Sequence, residues 1–315
     1  MKTASEPIRL GGSSRWAKFK KWLPLYIMGI PGILYLLINN YMPMYGLLIA
    51  FKNYDYSKGI SGSSWAGLKN FEFLFKTKDA WVITRNTILY NLVFIALDIV
   101  FCVSIAIFLN EIRSKVSKKV YQTAILLPYL MSMVVVSYLT YAFVSDRTGL
   151  INAALKLMGL KTVQFYSTKK YWPFIITFVR MWRFVGYGSI IYLSTLAGFD
   201  DSYYEAAELD GATKWQQITR ITLPMLKPTI IMLTTLAMGN VFRSDFGLFY
   251  QVPRNQGMLY PVTDTIDTYV FRALLKNGNI GLSSAAAFYQ SVVCFITIVA
   301  FNRLVRKISE EDALF

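Results

Sequence analysis

Five ionisable residues, Asp98, Arg180, Arg183, Arg243 and Asp245, fall inside apolar runs long enough to cross a membrane. A charge in hydrocarbon is costly, so such groups turn to one another or to a polar path. The first option pairs Asp98 with Arg180 or Arg183. The second lines a route for a polar solute, with Asn240 and Gln290 as uncharged companions. Trp182, Tyr187, Phe242, Phe246 and Tyr289 stand near these groups, and aromatic faces of this kind stack on sugar rings. For any single ring, plain helix packing is the simpler account. No catalytic chemistry competes with these readings. The chain has no histidine, no HExxH and no Ser/His or Cys/His arrangement to activate a nucleophile. Its two cysteines, Cys102 and Cys294, both lie in apolar runs, so no zinc site or structural disulfide is expected. No catalytic or metal-ligating residue is therefore assigned. No GxxxxGK[ST] occurs either, so the chain cannot cradle nucleotide phosphates by that device.

A different pattern occupies Ser202 to Pro224, SYYEAAELDGATKWQQITRITLP, between two apolar runs. Two capping boxes can be read in it, Ser202 with Glu205 and Thr213 with Gln216. Gly211 suits the bend between two short helices, because glycine takes the positive-φ position that ends the first. Pro224 hands the chain to the next apolar helix. The spacing predicts a helix–turn–helix elbow at the membrane surface.

Glu205-Ala206-Ala207, then Gly211, then Ile221-x-Leu223-Pro224 resembles the EAA loop of type I ABC importer permeases at every defining position. The resemblance implies an all-α integral membrane protein with six transmembrane helices and a cytoplasmic coupling-helix elbow. It makes Glu205, Ala206, Ala207, Gly211, Ile221, Leu223 and Pro224 the ATPase-coupling residues. Ala206 and Ala207 are small enough to enter a cleft, and Glu205 is free to pair with a basic ATPase residue or to cap its own helix. Segments 31–54, 126–143, 190–212 and 264–292 look like the carbohydrate branch, the last being similar to its complex-polysaccharide subgroup. The implied partners are a second permease subunit (a paralogue), two ATPase subunits, an extracytoplasmic solute-binding protein, an oligosaccharide and membrane lipid, with no nucleic acid. This chain would hold no cofactor, ATP and magnesium being bound by the ATPases. The implied substrate path takes Arg180, Trp182, Arg183, Tyr187, Asn240, Arg243, Asp245, Tyr289 and Gln290.

The elements that must position these residues follow from hydropathy. Mean hydropathy is +0.40, and only 16% of the 315 residues are charged. That composition is one of an integral membrane protein. The net charge of +15 reflects lysines and arginines collected beside apolar spans, as topology demands, and not a nucleic-acid surface. Spans are expected at 24–50, 83–109, 121–144, 171–197, 225–247 and 282–302, each about long enough for a hydrocarbon core of roughly 30 Å. Pro31 and Pro43 should kink the first span or mark its ends. Residues 1–22 read as an uncleaved basic tail, 23–307 as the permease domain and 308–315 as a second tail. The dense basic segment 110–119 places both tails and the elbow in the cytoplasm of a bacterial inner-membrane protein. The run Ser283–Ala287 is most simply close helix packing through small side chains.

Three arginines against two acids, Asp98 and Asp245, leave one positive charge over. That surplus suits a passing anion such as a uronate-containing oligosaccharide, or equally an arginine that reaches the interface or a partner subunit. The elbow alone is also compatible with import of phosphate, amino acids or polyamines. A secondary transporter would have no use for it.

Overall fold

The computed structural model describes residues 15–314. Most of the basic tail expected over 1–22 therefore lies outside the described residues. Helix α1 (Arg15–Leu36) runs on through a π turn at Leu37–Tyr41 into a tight 3-10 stretch at Met42–Phe51. Pro31 is carried inside α1, whereas Pro43 sits where the winding changes, as its missing N–H requires. The most apolar window of this first span buries nothing against the rest of the chain. A short antiparallel pair, Lys52–Asn53 with Ser64–Trp65, closes the segment that follows.

Helix α2 (Lys78–Glu111) is the longest element, started by Thr77, whose hydroxyl accepts from the Ala80 amide. At 1.5 Å per residue its 34 residues reach about 51 Å, well beyond the hydrocarbon thickness. Helices α3 (Lys115–Leu130) and α4 (Met133–Val144) follow, then the short α5 (Leu150–Leu157) and the long α6 (Trp172–Leu196). Two glycines let α6 approach its neighbours. A Cβ on Gly186 would lie 2.1 Å from the Ile125 carbonyl oxygen of α3, and one on Gly188 would lie 2.6 Å from the Cys102 sulfur of α2.

The third span departs from the expected single run over 121–144. It breaks at Met131–Ser132, and α3 and α4 meet at 95°. Both residues at the break are extended, Pro128 lies in the last turn of α3, and the Ser132 hydroxyl caps α4 by accepting from Val135 N. The fifth span is shorter than expected. Its helix α9 (Leu223–Met238) stops at Gly239, nine residues short of 247. There the chain turns out, with Asn91 of α2 donating to the Val241 and Arg243 carbonyls. That side chain takes up acceptors a continuing helix would have used.

Helices α7 (Ser202–Leu209) and α8 (Lys214–Gln217) form the elbow between α6 and α9. Beyond α9 come α10 (Phe246–Gln251), α11 (Tyr260–Thr263), α12 (Ile266–Asn277) and the last long helix, α13 (Ile280–Ile308). Among the described residues five helices are long and apolar enough to cross a membrane, and the bent α3–α4 pair, taken as one span, makes a sixth. Trp172, Ile176, Leu226, Leu248 and Leu259 are fully buried in a core shared by α2, α6, α9 and α10. Ala285 and Ala286 are fully buried too, in keeping with close packing at the start of α13.

Candidate functional site

The elbow forms where its sequence predicts, with one change at its start. Gly211 has φ +76°, Ala212 N donates to Ala207 O, and Gly211 N donates to Glu208 O. These two bonds are the pair that closes a helix through a left-handed glycine. The Thr213–Gln216 capping box is present in both directions. The Ser202–Glu205 box is not. Asp201 is the capping residue, without a side-chain bond, and Asp200 accepts from Ser202 N at 2.9 Å instead. Asp200 lies closer along the chain and takes the Ser202 amide, while Glu205 N donates to Asp201 O, which leaves the Glu205 side chain exposed and free of self-capping.

Lys214 reaches back across the bend to Glu208 at 3.0 Å and to Gln217 Oε1 at 3.0 Å. The ammonium holds the Glu208 carboxyl below the usual carboxylate range. Tyr204 and Thr222 share a hydrogen bond at 3.1 Å, which ties α7 to the foot of α9. A π turn at Ile218–Thr222 precedes Leu223-Pro224, where proline lacks the donor for an ordinary turn. Leu209 (90%) and Trp215 (72%) stand out from this surface, unlike the buried Gln217. An exposed apolar pair on a polar elbow is what a docking surface presents.

The second constellation lies between α2, α3 and α6. A cavity of about 310 Å³ is lined by Asn91, Phe94 and Tyr129, by Arg180, Arg183 and Phe184, and by Asp245. Arg180 and Asp98 pair at 3.0 Å, so one of the two pairings open in the sequence is the one made. The Arg180 guanidinium also lies 3.8 Å from the centre of the Phe184 ring. Asp245 spends one oxygen as the cap of α10, accepting from Leu248 N at 3.1 Å. Arg183 differs from both. Its guanidinium faces the Tyr129 ring at 5.3 Å, and its buried Nε has no hydrogen-bond partner. Tyr129 in turn stacks on Tyr187, with centroids 4.2 Å apart and planes within 6°. The cavity thus offers the unpaired Arg183, the Asn91 amide, the Asp245 carboxylate and the ring of Tyr129, which Tyr187 backs.

The remaining residues expected on the path lie elsewhere. Arg243 sits in the turn after α9 and not in a helix, and donates to Ser291 Oγ at 3.3 Å. Gln290 is buried and donates to Phe242 O at 2.8 Å and to Asp267 at 3.3 Å, a structural bond between α13 and that turn. Asn240 donates to Leu236 O within its own turn. Tyr289 meets Phe242 edge-on, and Trp182 is 41% exposed on α6. Sequence reasoning missed Tyr129 and Asn91. Asn91 carried a signal, an amide inside an apolar run, whereas Tyr129 enters only because α3 ends beside it.

Over residues 82–310 the chain matches the family described as the binding-protein-dependent transport system inner membrane component. The chain belongs to this family. Among curated relatives of the permease, the polygalacturonan/rhamnogalacturonan transport system permease protein YteP of Bacillus subtilis (strain 168) is 34% identical over 287 residues. That match covers 91% of this chain and 89% of the relative. Protein LplB of the same organism is also 34% identical, over 93% of this chain and 91% of its own length. Among solved structures, a bacterial ABC transporter involved in the import of the acidic polysaccharide alginate matches with a TM-score of 0.84 and 31% identity. The match covers 93% of this permease and 99% of that chain. A second structure holds that transporter with an alginate pentasaccharide-bound periplasmic protein, again at TM-score 0.84. The permease has the type I ABC importer fold, as the elbow and the six crossings imply.

Proposed function

We propose that this permease carries acidic, uronate-containing oligosaccharides across the inner membrane. Separate ATPase subunits, which bind ATP and magnesium, supply the energy through the elbow. The observation that carries the substrate reading is Arg183. It faces the cavity with no carboxylate within ion-pair distance among the described residues, while Arg180 is neutralised by Asp98. A half-buried cation without an ion-pair partner is expensive inside a membrane, and a carboxylate fits its fork. The stacked Tyr129–Tyr187 pair beside it supplies a flat face for a sugar ring. The relatives named for polygalacturonan and alginate support the same substrate class.

In this reading the elbow, the 110–119 segment and both chain ends face the cytoplasm. Glu205, Ala206, Ala207 and Gly211 seat in the ATPase, while Ile221, Leu223 and Pro224 transmit its movement to α9. Closure of the ATPase dimer then switches the spans between two packed arrangements. The exposed first span fits a second permease subunit, which completes the path. The chain has no ATPase site of its own and should be inactive alone. Reconstituted by itself it should take up no sugar and hydrolyse no ATP, and should gain both with ATPases, second permease and binding protein. Uptake by the isolated polypeptide would contradict the assignment.

A further inference from the structure

A second polar concavity, of about 450 Å³, opens at the other end of α4 and α10 from the Arg183 cavity. Its lining includes Tyr141, Asp146, Arg147, Tyr166, Arg254 and Gln256. The volume lies within the roughly 300–1,000 Å³ of small-molecule sites, and concavity of this kind suits a small polar ligand better than a protein face. Arg254 lies 4.2 Å from the centre of the Tyr141 ring and 5.6 Å from that of Tyr138. Neither Arg254 nor Arg147 has a carboxylate within ion-pair distance among the described residues. Asp146, the acid in the lining, accepts from Tyr166 N at 3.2 Å and so has a structural task.

The backbone under Arg254 is unusual. Arg254 (φ 56°) and Asn255 (φ 49°) are the two residues other than glycine in the left-handed region among the described residues. Such a conformation persists only where its surroundings hold it, and it gathers at binding sites. Here the holding groups are identifiable. Asn255 Oδ1 accepts from Tyr260 Oη at 2.9 Å and from Arg272 at 3.4 Å, and Arg272 is bound to the buried Asp264. A chain of polar groups running into the fold thus fixes the turn that carries Arg254.

We propose that Arg254, with Arg147 and the Tyr138–Tyr141 face, is a second saccharide subsite, at the outer rim, for a carboxylate-bearing unit of the incoming oligosaccharide. The proposal rests on the acidic-oligosaccharide reading given above. Helix α4 starts beside Tyr129 and ends at this rim, and its 12 residues span about 18 Å. An extended chain of several sugar units can therefore occupy both cationic-aromatic subsites at once. Linked sites reinforce one another only when the ligand spans them. Long acidic oligosaccharides should use the rim, and acidic disaccharides should not.

The test uses the assembled transporter in proteoliposomes with its binding protein, and compares Arg254→Asn and Arg147→Gln with the unaltered chain. Asparagine tolerates the left-handed backbone, and Arg147 lies in an exposed loop, so at least one variant should fold normally. The KM for long acidic oligosaccharides should rise about tenfold, with kcat and acidic-disaccharide uptake unchanged. Equal loss for acidic and neutral chains would overturn the subsite. A raised half-saturating concentration of sugar-free binding protein in ATPase assays would overturn it as well, by making the rim a protein-docking surface. If the unaltered transporter takes up no acidic oligosaccharide, the substrate reading fails. If it does and neither variant changes KM, the rim proposal alone fails.

Discussion

At the scale of single residues, the two arginines of α6 show how little their identity says about their task. Arg180 and Arg183 are three apart on one helix, yet one is paired with Asp98 and the other is not. The Asp98–Arg180 side chains are 23% and 17% exposed, so breaking the pair should expose its cost. Asp98→Ala is expected to lower stability by about 3–5 kcal/mol, and the double variant Asp98→Ala with Arg180→Met to recover most of it. Thermal unfolding of the purified protein in detergent measures both. An unchanged melting temperature in the single variant would mean that the pair contributes nothing. The presence of intramembrane charges was legible in the sequence, but the count of three arginines against two acids was not, because Arg243 and Asp245 lie beyond the end of α9. Which arginine is left over was not legible either, because it depends on where α2 and α3 pass α6. Arg243 shows the converse, since it was expected inside the fifth span and lies in the turn after α9, which ends nine residues earlier than expected.

At the scale of elements, the elbow was the most legible part of the chain. Its glycine, caps and proline act through local backbone rules that need no tertiary context, and Ser202 failed only because Asp200 competed for the same amide. The break in the third span was not legible. Pro128 and Ser132 permit it, and the 95° turn lays α4 on α10, where Ser137 donates to Gln251 O at 2.6 Å, a contact between distant segments. Two variants test the elbow as a coupling device. Gly211→Pro removes the amide bound to Glu208 O and forbids φ +76°, and Glu205→Lys reverses a charge in the first turn of α7. Both should insert normally and retain ATP hydrolysis by the complex, with uptake per ATP falling about tenfold or more. Wild-type uptake in both would remove the elbow from the mechanism. The Glu208–Lys214 clamp carries a pH sign as well. Because the folded carboxyl titrates below its ordinary range, the clamp's contribution is present above that range and is lost as pH falls through the lowered value.

At the scale of the whole molecule, the permease is a half-structure. Its first span is apolar and unburied, its elbow presents Leu209 and Trp215 to the outside, and its cavity holds Arg183 without an ion-pair partner among the described residues. Each feature is costly in isolation and reasonable against a neighbour: a second permease, an ATPase and an acidic sugar. The central claim is that Arg183 reads the charge of that sugar. The direct measurement is ATP-driven uptake of a uronate oligosaccharide and of a neutral oligosaccharide of equal length by the assembled transporter, with and without Arg183→Gln. Uptake of the acidic chain should fall about tenfold or more, while that of the neutral chain changes little. Equal losses for the two sugars would make Arg183 a structural residue and contradict the account.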